Sequence, residues 1–161
     1  MVQINLNIEV SAAKGALGLL KRKIPSATAK GIAKAGMFLQ NAIKDRTRKG
    51  TDFKGRKFRP YSAKYAKQRA KEGRTLTPNL FRSGQMLGNM TFKRLTKTKG
   101  QIFFPNRQQN IKAFYNDSQG VGRDKVKREF FSVGAKEEAK AVKIFADTLM
   151  RDLKIWVKEK I

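Results

Sequence analysis

The chain has 161 residues, 40% of them hydrophobic, with 37 Lys and Arg against 12 Asp and Glu and a formal net charge of +25 at pH 7. Such a length suffices for a single domain, expected over residues 1–161, that buries about two thirds of its unfolded surface, and such a charge calls for a polyanion, a membrane surface or acidic neighbouring subunits to offset its self-repulsion. Cysteine and histidine are both absent, which excludes disulfides, the usual zinc ligands, thiol nucleophiles and the usual near-neutral general base.

At the N-terminus, Val2, Ile4, Leu6, Ile8 and Val10 alternate with Gln3, Asn5, Asn7 and Glu9, the period of a strand with one buried face. No continuous apolar core precedes a small-residue cleavage site, so this is not read as a secretory signal. The run ALGLL is too short to span a bilayer; no membrane partner is expected, and the chain is expected to be made and kept in a cytoplasm. Ser11 caps a short helix reaching Lys23, Pro25 interrupts, and Ser26 caps a longer helix through Arg46. On that second helix Ile32, Ala35, Leu39, Ala42 and Ile43 form a stripe, broadened by Met37 and Phe38, that needs a sheet or another helix to cover it.

Residues 47–60 read as an exposed loop, followed by a short helix from Ser62 to Lys71 and a break at Gly73. The whole stretch 44–76 is expected to be an exposed basic segment. Pro78 marks the start of a further helix, with Leu80, Phe81, Met86 and Leu87 available for packing. MTFKRLTK and GQIFFP are two short strands with a turn near Lys99 and Gly100, hence a hairpin. NIKAFYNDSQGVG begins as a helical turn and ends in a glycine-rich loop, and REFFSVG is a short apolar segment. From Ala135 to Lys160, Val142, Phe145, Leu149, Leu153 and Trp156 recur at helical spacing, with Glu137 and Glu138 in the first turn where the helix dipole favours them. The order of elements predicts an α+β fold: a small antiparallel sheet packed against two long amphipathic helices, with an extended basic loop. There is no internal repeat.

Two segments imitate catalytic motifs. In GTDFKGRK, Gly50 and Gly55 have the separation of a phosphate-binding loop, but that loop needs Lys and then Ser or Thr after the second glycine, and here Arg56, Lys57 and Phe58 follow. A solvated basic loop is the better reading. Glu138, Ala139 and Lys140 spell the E-x-K of metal-dependent nucleases, with Asp124 upstream, yet Glu138 and Lys140 point to different sides of a helix. An acidic cluster at a helix start accounts for them, so no catalytic residue, metal ligand or cofactor is expected.

The basic run from Lys44 to Arg74 is interleaved with Phe53, Phe58, Tyr61 and Tyr65, a composition suited to phosphate contact and base stacking. Equally, Tyr61 and Tyr65 stand one helical turn apart and can anchor the segment to a core while its lysines face water. Arg56, Lys57, Arg59, Lys64 and Lys67 are the candidates for a surface that meets a polyanion or an acidic subunit.

Five landmarks follow in order after the N-terminal helical region: G-x-x-F-x-P-Y-S at Gly55–Ser62, T-P-N-L-F-R-S-G-Q-M at Thr77–Met86, A-F-Y-N-D-S-Q-G at Ala113–Gly120, R-E-F-F-S-V-G at Arg128–Gly134, and the closing amphipathic helix. Together they resemble the tail-completion or virion-morphogenesis proteins of tailed phages, the Mu-like group and its relatives at the head-to-tail junction. That family commonly has Trp where Phe58 stands and His where Asn116 stands. The resemblance spans most of the chain and implies a non-enzymatic virion component, a homo-oligomeric ring between the tail tube and the head connector, assembled in the bacterial host cytoplasm. It implies neighbouring tail-terminator, tube and connector proteins as partners, and non-specific contact with genomic DNA in the channel. It also assigns Phe58, Pro60, Tyr61, Leu80, Gly84, Met86, Arg128, Phe130 and Phe131 to the subunit fold and its contacts. The alternative reading is a stand-alone basic protein that binds nucleic acid without sequence preference.

Overall fold

The computed structural model describes residues 2–7 and 24–158. It is an α+β fold with strand β1 (Gln3–Asn7), helices α1 (Ile24–Arg48), α2 (Ala63–Lys71) and α3 (Gln85–Asn89), strands β2 (Thr91–Arg94) and β3 (Lys99–Phe103), and helices α4 (Arg107–Phe114) and α5 (Ala135–Lys158). A single π-helical turn, Tyr115–Gln119, continues α4. The chain divides into two compact units: one holds Asn41–Met90 and Phe104–Gly134 with Val2, the other Gln3–Gln40, Thr91–Phe103 and the residues from Ala135 onward.

In the second unit the three strands form one antiparallel sheet in the order β1-β3-β2, with Ile4 opposite Ile102 and Ile102 opposite Phe92. The alternation that predicts β1 therefore finds its partner strand, and Ile102 is fully buried in the centre. Helix α1 lies on this sheet because two glycines leave room for one ring: a Cβ added at Gly36 would overlap the Phe92 ring, and one added at Gly100 would stand 2.5 Å from it. Ile32, Ala35 and Leu39 of α1 are buried, as expected of the stripe, whereas Met37 is 57% exposed and falls outside it. Phe145 of α5 is buried and seated against Gly31 of α1, and Lys30 pairs with Asp152 at 2.8 Å between the same two helices.

Three boundaries and one buried face differ from the sequence reading. Pro25 sits in the first turn of α1 rather than ahead of it, where a missing N–H removes no intrahelical bond. The hairpin turn falls at residues 95–98, not at Lys99 and Gly100, because the Thr96 hydroxyl accepts from the backbone N–H of Thr98 and Lys99 at 3.2 and 3.0 Å and draws Lys99 into β3. Pro78 starts no helix: Asn79 accepts the Phe81 N–H at 3.1 Å in a side-chain turn, Leu80 has φ 52°, and α3 begins only at Gln85 after left-handed Gly84. On α5, Val142 is exposed while Ala141 and Thr148 are buried, so the buried stripe is rotated from the one expected. The expected helix Ser11–Lys23, the end of the expected first strand and the side chain of Trp156 lie outside what is described.

The first unit has its own core of Phe58, Met86, Leu87, Met90, Phe104, Ala113, Phe130 and Phe131. Three of its rings form a cluster, with Phe104–Phe131, Phe130–Phe131 and Phe104–Phe130 centroids 5.1, 6.0 and 6.4 Å apart. This unit carries all the candidate basic residues.

Candidate functional site

The basic segment is organised from Asp52. Its buried carboxylate accepts the backbone N–H groups of Lys54 and Arg56, each at 2.8 Å, and the Arg56 Nε at 2.7 Å. Burial by itself would raise this carboxyl, but the bonds from Arg56 and Lys54 outweigh it and hold Asp52 below the usual carboxylate range. The loop that imitates a phosphate-binding site is thus a tight turn wrapped around its own carboxylate, closed by a bridge between Thr51 and Lys57. Phe58 follows directly and is buried, its N–H bonded to Gly50 O at 2.8 Å.

Arg56, Lys57, Arg59, Lys64 and Lys67 are all exposed, but they are not electrostatically equal. Arg56 pairs with Asp52 and stands 3.7 Å from Glu129, and Arg59 stands 3.9 Å from Asp124. Lys57, Lys64 and Lys67 form no ion pair with described residues. The net outward charge therefore belongs to those three lysines more than to the two arginines.

Two further arginines behave in the opposite way to basic residues on a solvated face. Arg69, on α2, is 2% exposed, and Arg128 is 8% exposed. Helix α2 is capped by Ser62, which accepts the Tyr65 N–H at 3.4 Å, so that Tyr65 and Arg69 stand one turn apart on the helix while Tyr61 lies just ahead of the cap. Tyr61 and Tyr65 meet edge to face at 5.0 Å. The Arg69 guanidinium lies 5.0 Å from the Tyr61 ring centre and 5.9 Å from that of Tyr65, and Arg128 lies 5.3 Å from Tyr61. Stacking of this kind lets a guanidinium stay charged away from water. Arg69 also donates from Nε to Thr75 O at 2.9 Å, and Arg128 from Nη2 to Arg59 O at 3.4 Å. Burial lowers the Arg128 pKa from its ordinary value, opposed by Tyr61 and Tyr65 and reinforced by Arg59.

These groups line a cavity of about 920 Å³ in the first unit. Its walls come from the segment Arg59–Ser62, from α2, from Leu80–Met86, from Gln109, Lys112 and Asn116, and from Val121–Arg128. The cavity is cationic, with Arg59, Arg69, Arg82, Lys112, Arg123 and Arg128 against the single carboxylate of Asp124. The segments that form it are tied to one another. The Arg128 N–H donates to Asn116 O at 2.7 Å, and the Phe131 N–H to Asp117 Oδ1 at 2.8 Å. Arg46 at the end of α1 donates to Phe130 O at 2.6 Å and to Ser132 O.

Of the residues assigned to the fold and its contacts, Phe58, Met86, Arg128, Phe130 and Phe131 are buried, and Tyr61 and Leu80 are half-buried on the cavity wall. Gly84 takes the left-handed conformation there, and Pro60 is exposed at the rim. Sequence reasoning missed Arg46, Asp52, Arg69 and Gln109. The one available signal was spacing: Arg69 stands four residues after Tyr65, which itself stands four after Tyr61. Glu138 of the nuclease-like triplet and Asp124, the upstream carboxylate, belong to different compact units. No family model, curated protein or solved structure matches the chain.

Proposed function

We propose that the chain is a structural virion protein of a tailed phage or prophage, a head-to-tail joining component that assembles as a ring at the tail-connector junction. One observation carries the reading. The four landmark segments between Gly55 and Gly134 all fall in one compact unit, three of them are joined by the bonds from Arg128 and Phe131, and together with Thr77–Met86 they wall one cationic cavity. Motifs that share only their order along the chain thereby acquire a common structural purpose, a scaffold that presents positive charge. Lys57, Lys64 and Lys67, which form no ion pair among the described residues, give that scaffold an outward face for acidic neighbouring subunits or for DNA phosphates, which it would position without reading bases.

Sedimentation of the purified chain at about 0.15 M salt, with and without its neighbouring tail and connector proteins, tests this reading. A ring component self-associates or joins those proteins into a closed assembly. A species that stays monomeric with them and instead retains duplex DNA indifferently to sequence, with affinity falling steeply as salt rises, would make it a stand-alone nucleic-acid binder and overturn the proposal.

A further inference from the structure

Helix α5 carries a second apolar face that its own unit leaves largely open. Helix α1 covers one side of α5, where Phe145 is seated against Gly31, Asp152 pairs with Lys30 at 2.8 Å, and the Lys140 ammonium lies 5.2 Å from the Phe38 ring centre. On the other side Ala139, Val142, Ala146, Leu149, Met150 and Leu153 share an arc of roughly 100° in which no charged residue falls. Ala139 and Ala146 are exposed, Val142 is 51% and Met150 54% exposed, and Leu149 and Leu153 are half-buried. Scattered apolar residues on a surface need no explanation, but a continuous stripe along a helix marks a contact with another chain.

Spacing and charge together identify the other chain. Ala139, Val142, Ala146, Leu149 and Leu153 follow one another at alternating intervals of three and four, the a and d positions of a coiled-coil seam. The seam has unlike flanks. Lys136, Lys143 and Lys154 border it on one side, with Asp147 farther round, and Glu138 borders it on the other, with Asp152 beyond and held by Lys30. When two such helices pack in parallel about a two-fold axis, the basic flank of each faces the acidic flank of the other. Glu138 then meets Lys143 of the second copy, at the five-residue offset of interhelical ion pairs in parallel coiled coils. Antiparallel packing would set lysines against lysines. The face is thus complementary to itself, whereas a phosphodiester strand has no use for an apolar seam edged by a carboxylate.

We infer that α5 is a self-recognition surface through which two copies of this chain pair in parallel, with the seam from Ala139 to Leu153 between them and Glu138 of each copy against Lys143 of the other. One such seam is small beside the roughly 1,200–2,000 Å² of stable interfaces. The pair therefore forms at high protein concentration, and the unfolding of dilute protein does not report it. A two-fold contact uses the same patch on both copies and closes no ring, so it is separate from the ring contact of the head-to-tail reading and neither rests on the other.

The chain has no cysteine, so a single introduced thiol can bond only to the same position of another copy. Ala139→Cys and Leu153→Cys lie near the two ends of the seam, and Arg151→Cys is exposed on the same helix but off the stripe. Each is oxidised with diamide at high protein concentration in about 0.15 M salt. Parallel pairing brings like positions of the seam within the roughly 4.4–6.8 Å Cα separation that a disulfide requires, so the first two are expected to cross-link about tenfold faster than Arg151→Cys. Sedimentation velocity over a concentration series then reads affinity in cysteine-free chains. Ala146→Glu, a change at an exposed side chain, is expected to weaken pairing about tenfold or more. Lys143→Glu lowers the net charge of each copy, and general repulsion alone would make it pair better; it is expected instead to weaken pairing about threefold, and Glu138→Lys added to it to restore the wild-type value. Unfolding curves check each variant, and Ala139→Cys decides alone should Leu153→Cys unfold. A chain that stays monomeric at every concentration, or that cross-links at equal rates from all three positions, would overturn the inference. So would cross-links that appear only when Ala139→Cys is mixed with Leu153→Cys, since the helices would then run antiparallel, and so would self-association that Ala146→Glu leaves unchanged, since it would use another surface.

Discussion

Asp52 and Arg128 show how single residues turn an excess of positive charge into structure. Asp52 accepts three bonds from a loop that would otherwise repel itself, and its carboxyl is held below the usual range by Arg56 and Lys54 against the opposing effect of burial. A carboxyl whose folded pKa is lowered contributes stability that is complete above the unfolded value of about 3.9 and is lost as pH falls through the lower folded value. Asp52→Asn should therefore cost about 1–3 kcal/mol near neutral pH, and the gap to the wild type should close as unfolding is followed down through that acidic range. A constant gap from neutral to strongly acidic pH would show that the carboxylate charge is not what holds the loop. Gly84 makes a second prediction. It has φ 76°, and an added Cβ would stand 2.9 Å from the Phe81 ring. Gly84→Ala should cost about 1–2 kcal/mol from the left-handed backbone alone, measured by chemical denaturation; no loss would mean that Phe81 and the backbone move freely at that wall.

Among the elements, α1 and α5 were legible because periodicity reports burial directly and each of them buries one face, and β1 because its alternation leaves Gln3 and Asn5 exposed with Ile4 half-buried between them. The residues within α5 were less so. An apolar residue every third or fourth position fits two adjacent stripes, and the helix turns Phe145 inward while leaving Val142 51% exposed. Phe145→Ala should accordingly cost about 3–5 kcal/mol, and Val142→Ala should stay within about 0.5 kcal/mol of wild type; thermal unfolding of the two variants checks the assignment, and the reverse order would refute it. The segment from Pro78 to Gly84 was illegible as a loop, since a side-chain turn at Asn79 and a leucine in the left-handed region leave no periodic trace. The cavity was half-visible. Its tyrosines read as core anchors or as stacking platforms, and the structure engages them with Arg69 and Arg128, two basic residues that composition alone assigns to solvent.

For the whole molecule the dominant fact is the charge of +25 on 161 residues. Several carboxylates are spent inside the chain, on Arg56, Arg59, Arg74 and Lys30, so most of the excess is left to repel itself. Raising the ionic strength from about 0.05 to about 0.5 M shortens the Debye length from more than 10 Å to only a few and should raise the melting temperature of the isolated chain. An acidic binding partner should do the same at low salt by mass action. A melting temperature that falls with salt would mean that internal ion pairs outweigh the repulsion.

The head-to-tail claim itself is tested most directly by counting particles. In the genome that encodes this chain, which the proposal takes to be that of a phage or prophage, the gene is deleted, or replaced by one carrying Lys57→Ser, Lys64→Ser and Lys67→Ser, and lysates are scored by electron microscopy for joined, DNA-filled, tailed particles. The account predicts that deletion leaves separate heads and tails. It predicts that the triple variant, folded as judged by its unfolding curve, lowers the joined fraction about tenfold, equivalent to about 1.4 kcal/mol of lost contact. Joined, DNA-filled particles at wild-type numbers after deletion would contradict it.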